Sequence, residues 1–498
     1  GERVGSIRGR LCKRTEVAGG VEPGYPHGMI RIHSRPDLDE AVALEAVREH
    51  YGLDGTLTPL PGYRDRNFLL EVEGGVRYVV KVSCPDQPQT ILEFENRMIE
   101  RLAEDTNGLV PGLVAARSGS TLVEHVDPAG STHRLRILHF LPGTVLATVR
   151  PRSEALMLDI GRRMADLASA LGAIPDHPPA RIDLDWALGP AGDVMERGLA
   201  LLEGEERELI ERVISSFRAK EPEFLGLGSQ MIHGDVNDHN VLVSLTEGEE
   251  YRVAGIIDLG DAHSAPRAFD LAIAIAYSIL GTPDPFAAAA ALTRGYHGTL
   301  PLLEQEVDVT MSLVRARLGQ SVCIAAWRRK EGDADEYHLV SEQPAWQMLR
   351  TLDSVPEAIA TGILRDACGL DACRRSAPLR TWLAIQEVIP VMEQPTDEGA
   401  IGVLDLSVGS PDLTGRDTDD TDDFTARVFA RMHEQGITLG IGRFLEPRAF
   451  YLTDAFAGRE GDPRERRTIH LGIDLFEIIE GFAQRVKQSP ERGISDRD

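Results

Sequence analysis

Cysteine is scarce and scattered in this chain: Cys12, Cys84, Cys323, Cys368 and Cys373 are its full complement. No paired framework is visible, which argues against a disulfide-stapled scaffold and suits a reducing compartment. Cys368 and Cys373 lie close together, yet no His or Cys pair completes a zinc pattern with them. Long hydrophobic runs are missing as well; none reaches the roughly 18 residues of a membrane span. The first residues are polar and carry no apolar signal core, so cytoplasmic residence is expected. Excess positive charge is also absent. Lys and Arg number 53 against 79 Asp and Glu, a formal net charge of −26. That disfavours a nucleic-acid or anionic-membrane partner, which clustered cations would have to hold. It does not exclude a small anion bound by a few local cations. Apolar content of 42% and charged content of 27% are those of an ordinary globular protein.

What is present divides unevenly. Residues 1–37 are rich in Gly, Arg and Pro and read as a tail. From 38 to 141 the pattern is a helix over 38–51 with Asp37 as its cap, then two alternating runs, Asn67–Val72 and Arg77–Val82. Glu73-Gly74-Gly75 between the runs signals a hairpin. A helix at 90–104 and strands at 120–126 and 134–140 complete a small sheet with one internal helix. From 142 to 390 the periodicity is mostly helical, as in Met157–Leu171, Asp193–Lys220, Phe269–Leu280 and Leu302–Lys330. Residues 391–423 read as a linker ending in an acidic Asp/Thr run, and 424–498 as a small separate α/β unit.

The most informative stretch interrupts the helical region. Met231-Ile232-His233-Gly234-Asp235 leads to Asn240, five residues on, and Gly255-Ile256-Ile257-Asp258 follows eighteen residues after that. Each segment adjoins a short apolar run, and a polar turn at Glu247–Glu250 makes the two runs a ribbon. Asp235 is placed to accept a proton from a hydroxyl, while Asn240 and Asp258 offer oxygen donors to Mg²⁺. Together they are the equipment for phosphoryl transfer. Singly, each is more simply a turn former; the set of three is what carries the reading. His233 is expected to shape the loop through backbone carbonyls. Asp270, in Phe269-Asp270-Leu271, reads first as a helix cap and otherwise as a brace for the loop.

The His233-Gly234-Asp235…Asn240 and Ile257-Asp258-Leu259-Gly260-Asp261 pair resembles the aminoglycoside phosphotransferase/choline kinase family. Leu60–Phe68, Phe140-Leu141-Pro142-Gly143 and the Asn237-Asp238-His239 insert are similar to its hydroxylysine kinase branch. The resemblance implies an α+β, bilobal, protein-kinase-like fold with a β-rich N-lobe over 38–141 and a mostly helical C-lobe over 142–390. It implies a small amino alcohol or hydroxy amino acid as acceptor, ATP or GTP as donor, and Mg²⁺. Lys81 then meets the nucleotide phosphates. Its helix partner is Glu93 or Glu95; Glu95 shares the apolar face of Ile91, Met98 and Leu102 and is preferred. Arg64 or Arg66 contacts phosphate, and Arg66 is taken as the site residue. Ile137–Leu141 is the hinge, with His139 and Leu141 facing the purine. Asp238 or Asp261 receives the acceptor's ammonium group. Trp327 and Trp346 read as core residues near a lid. His-Gly-Asp in place of His-Arg-Asp argues against a protein acceptor.

Thr468-Ile469-His470-Leu471-Gly472-Ile473-Asp474 resembles the first metal motif of lysostaphin-type (M23) zinc peptidases. No later His-x-His follows, and two ligands do not make a catalytic zinc site. Such segments occur between kinases of this kind and aminotransferase-like domains dependent on pyridoxal phosphate, so fusion or partnership with one is implied. The alternatives to a working kinase are a nucleotide-binding pseudokinase or scaffold, and a zinc metallopeptidase built on His470 and Asp474.

Overall fold

The computed structural model describes residues 36–62, 64–175, 186–331 and 342–373, with 400–410, 421–443, 446–448, 469–470, 474–479, 482–486 and a few single positions beyond. The expected tail before residue 36, most of the acidic run and part of the peptidase-like motif lie outside these residues.

The first helix, α1 (Glu40–Tyr51), is capped not by Asp37 but by Asp39, whose carboxylate accepts the Val42 N–H at 2.9 Å. Leu38 is buried just ahead of it rather than within it. Strands β1 (Gly55–Leu60), β2 (Arg66–Val72), β3 (Arg77–Val82), β4 (Leu113–Val114), β5 (Val123–Val126) and β6 (Thr132–His139) form one antiparallel sheet, ordered β1-β2-β3-β6-β4 with β5 also on β6. Alternation puts Phe68, Leu70, Val80 and Val82 on one buried face with Leu135 and Ile137. The β2–β3 turn uses Gly74 and Gly75 at φ of 89° and 80°, which side chains resist. Helix α2 (Gln89–Asp105) follows β3 and buries Ile91, Phe94, Met98 and Leu102 on one stripe.

The larger lobe is helical, apart from two small sheets. Strand β7 (Thr144–Val145) pairs with β9 (Val241–Leu245), and β9 with β10 (Tyr251–Ile256); β8 (Ser229–Ile232) pairs with β11 (His263–Pro266). Helix α3 (Glu154–Gly172) packs on α7 (Pro285–Thr299) with Gly161 against Leu292 O and Gly295 against Leu158 O; a Cβ at either would strike a carbonyl. The helix expected over Asp193–Lys220 is two: α4 (Ala191–Gly198) and α5 (Gly204–Leu225). A 3₁₀ turn and Gly204 at φ 55° separate them, a bend that lets both pack on the long helix over 304–331. Helix α6 (Ala268–Ser278) is buried on every side. Beside it runs α8 (Glu304–Glu331), with α9 (Glu342–Asp353) and α10 (Glu357–Ala367) packed against it. Trp346 is in the core at 2% exposure. Among the described residues no helix is long and apolar enough to cross a membrane.

The C-terminal part has its own sheet, ordered β12-β13-β16-β17: β12 (Ala400–Leu404), parallel to β13 (Ile437–Gly442), then β16 (Asp474–Ile479) and β17 (Phe482–Val486). Helix α11 (Thr421–Gln435) packs on it through Phe424, Val428 and Met432. Strands β14 (Glu446–Pro447) and β15 (Ile469–His470) make a separate pair.

Candidate active site

A cleft of about 560 Å³ opens between the sheet and the helical lobe. Its floor is the loop between β8 and β9. Gly234 there adopts φ 82°, and a Cβ would strike Asp261 O, so the His-Gly-Asp wording follows from backbone geometry. Asp270, inside the first turn of α6, accepts the N–H groups of His233 at 2.7 Å and Gly234 at 2.8 Å. It braces the loop and does not cap its helix. His233 donates from Nε2 to Ile257 O at 3.1 Å, tying the loop to the strand end that carries Asp258.

Asp235 is held from both sides. Its Oδ2 accepts Asn237 Nδ2 at 2.8 Å and Asn240 Nδ2 at 3.1 Å, and its Oδ1 meets Arg317 Nη2 at 2.5 Å. Burial pushes its carboxyl up to about 6, against the pull of the Arg317 guanidinium. Arg317 comes from α8, is 1% exposed, and lies 4.8 Å from the Trp186 ring and 5.5 Å from that of Tyr277.

Asp258 sits past the end of β10 at φ 67°, in the left-handed region that a non-glycine residue occupies only when its surroundings hold it there. Its Oδ1 accepts Lys81 Nζ at 2.9 Å. Lys81 holds this carboxyl well below the usual carboxylate range, outweighing burial. Burial works against the Lys81 charge in turn, but Asp258 and Asp65, the latter at 3.7 Å, keep its pKa raised. Asp261 is ion-paired with Arg64, which also reaches Gly260 O at 3.2 Å.

Lys81, Asp235, Asn240, Asp258 and Asp261 therefore converge on one cleft, and His139 and Leu141 line its sheet side. The His139 N–H is engaged by Gly112 O at 2.9 Å and that of Phe140 by Arg77 O at 3.3 Å. Three expectations change. Glu95 is buried on the inward face, but its ion pair runs to Arg136 at 2.8 Å; the partners of Lys81 are Asp258 and Asp65. Exposed Glu93 accepts from Gln89 instead. Arg66 stands 5.6 Å over the Phe68 ring, and Arg64 is the arginine that lines the cleft. Asp238 is 5% exposed and bonded at 2.8 Å to Arg152, whose guanidinium also binds the carbonyls of Leu146, Tyr277 and Ser278. Its charge is matched by Arg152 and helps lock the loop from beneath, while the residue still borders the cleft.

Sequence reasoning missed Arg317. One signal existed: Arg317, Ser321 and Arg328 share a face of α8 amid apolar neighbours, and all three line the cleft. A charge on a buried face needs a partner. In the C-terminal part, the Asp474 carboxylate is taken by Arg448 at 2.5 Å, with Arg448 also 2.9 Å from Glu446. His470 Nε2 lies 3.6 Å from the Asp474 carboxylate, so the two motif residues are brought together with Arg448 beside them.

The chain belongs to the phosphotransferase enzyme family, whose model matches residues 56–306. It is a small-molecule kinase, and its relatives place it with the hydroxylysine kinase branch. It is 30% identical over 352 residues to the hydroxylysine kinase of Xenopus laevis, covering 66% of this chain and 93% of that one. To the hydroxylysine kinase of Mus musculus it is 29% identical over 343 residues, covering 64% and 90%. A solved microcompartment-associated aminopropanol kinase aligns at 19% identity and a TM-score of 0.48, covering 66% of this chain and 99% of that one.

Proposed function

We propose that the protein moves the γ-phosphoryl group of ATP or GTP to the hydroxyl of a hydroxy amino acid of the hydroxylysine type. The observation that carries this reading is the convergence of Asp235, Asn240, Asp258 and Lys81 on one cleft. Asp235 accepts a hydrogen bond from the acceptor hydroxyl, orients its oxygen for in-line attack, and takes the proton as the bond to phosphorus forms. Lys81, 2.9 Å from Asp258, would hold nucleotide phosphates beside the metal that this carboxylate would bind. The Asp258 carboxylate and the Asn240 side-chain oxygen are the hard donors a Mg²⁺ ion selects, and the half-exposed Asp258 faces the cleft. Bound there, the ion would neutralise charge on the transferred group. Backbone groups between His139 and Leu141 take the purine edge. Asp261 faces the cleft beside Asp258 and suits the acceptor's ammonium group, with Arg64 exchanging from it onto phosphate.

The test is a panel of hydroxylysine, homoserine and ethanolamine, each with ATP and with GTP in the presence of Mg²⁺. Transfer to hydroxylysine at least tenfold above ethanolamine in kcat/KM is expected. No transfer to any member, with nucleotide still bound, would instead support a pseudokinase.

A further inference from the structure

Far from the cleft chemistry, Glu49, His50 and His125 meet where the end of α1 lies against β5. One ligand atom from each lies within 4.8 Å of the others. His125 Nδ1 is 3.4 Å from Glu49 Oε2, and His50 Nε2 is 4.0 Å from the same oxygen. The two rings stand edge to face, 86° apart, with centroids at 5.7 Å. His125 is buried, its side chain 8% exposed, and His50 Nε2 is buried without a hydrogen-bond partner. A shielded ring nitrogen without a partner is costly, and its lone pair suits a Lewis acid. None of the three residues lines the cleft.

We propose that Glu49, His50 and His125 form a zinc-class metal site that clips α1 to the sheet. Two imidazoles and a carboxylate are donors for zinc, not for Mg²⁺, which prefers an all-oxygen shell. Tetrahedral zinc at about 2.0–2.1 Å from each donor spaces its ligands about 3.4 Å apart. The His125–Glu49 spacing already meets this, and His50 reaches it by closing about 1 Å at the helix end. A fourth position, toward the exposed Glu49, is left for water.

The surrounding charges permit a cation. Arg48 is paired with Asp54 at 2.8 Å, and Arg117 donates to Glu49 O at 3.4 Å, a backbone contact that leaves the carboxylate free to turn. His133, opposite His125 across β5 and β6, is bonded to Asp127 at 2.9 Å. Glu49 and His50 precede the 56–306 stretch that the family model matches, whereas His125 lies within it. The site thus fastens this chain's leading helix to the family's sheet.

The test uses untagged full-length protein stripped with chelator, then titrated with zinc sulfate alone and, separately, magnesium chloride. Expected are one tightly bound zinc per chain, a rise in Tm with zinc, and no such rise with magnesium. His50→Gln and His125→Gln should each abolish that zinc. Glu49→Gln, at an exposed side chain that packing does not require, should weaken it at least tenfold. His470→Ala should keep it, separating this site from the C-terminal histidine. No stoichiometric zinc in the wild-type protein, or zinc undiminished from wild type in Glu49→Gln and His125→Gln, overturns the proposal. Retained phosphotransfer in each variant confirms that the loss is not misfolding.

Discussion

At the scale of single residues, three of the cleft carboxylates are each matched by a cation: Asp258 by Lys81, Asp261 by Arg64 and Asp235 by Arg317. The pairings pull in different directions. Lys81 keeps Asp258 ionised, whereas burial pushes Asp235 up to about 6 despite Arg317. A general base must be deprotonated, so kcat/KM should rise with pH through about 6 and then level. Arg317→Met removes the charge that opposes burial. The acid limb should then move upward by roughly one unit or more, with kcat lowered below it. A limb that stays in place would show that Arg317 does not act on Asp235. Gly234→Ala tests the loop itself. Its φ of 82° and the carbonyl of Asp261 leave no room for a Cβ, so Asp235 must shift. A loss of kcat on the order of 100-fold, with nucleotide affinity little changed, is expected from a misplacement of about 1 Å.

At the scale of elements, the sequence was most legible where one pattern did one job. Alternation and the Glu73–Gly75 turn yield β2 and β3 as read, and the polar turn at Glu247–Glu250 yields the β9–β10 ribbon. The errors come from contacts between distant elements. No local pattern distinguishes Arg64 from Arg66; the difference is that β2 begins at Arg66, which turns it onto Phe68 while Arg64 stays in the loop over the cleft. Glu95 was rightly placed on the inward face of α2, but Arg136 on β6 claims it, a partner 41 residues away. Arg317 is further still, 82 residues from Asp235, and only tertiary packing brings α8 under the loop. The α3–α7 crossing was not legible either, since nothing local to Gly161 or Gly295 says which helix its bare face meets. Gly161→Ala should cost about 1–3 kcal/mol by overpacking, read as a lower Tm with kcat largely kept. An unchanged Tm would mean the two helices do not approach as closely as described.

At the scale of the whole molecule, the relatives account for about two-thirds of the chain, and most of the cleft lining falls in the 56–306 stretch that the family model matches. The C-terminal sheet has a core of its own around Phe424, Met432 and Phe476, yet Val408 also packs against Ile359 and Ile363 of α10. A protein ending at residue 390 should therefore keep phosphotransfer within a few-fold and lose thermal stability as that apolar contact opens. Loss of activity with the fold intact would assign the C-terminal part a direct role. The central claim is that Asp235 is the base of a phosphotransferase whose nucleotide phosphates are held by Lys81 and by a metal that Asp258 would bind. Its most direct test is single-turnover phosphate transfer to hydroxylysine by wild type and Asp235→Asn, with nucleotide affinity measured on both. The account predicts a fall in the transfer rate of about 100-fold or more with affinity within a few-fold. Transfer at the wild-type rate in Asp235→Asn would contradict it.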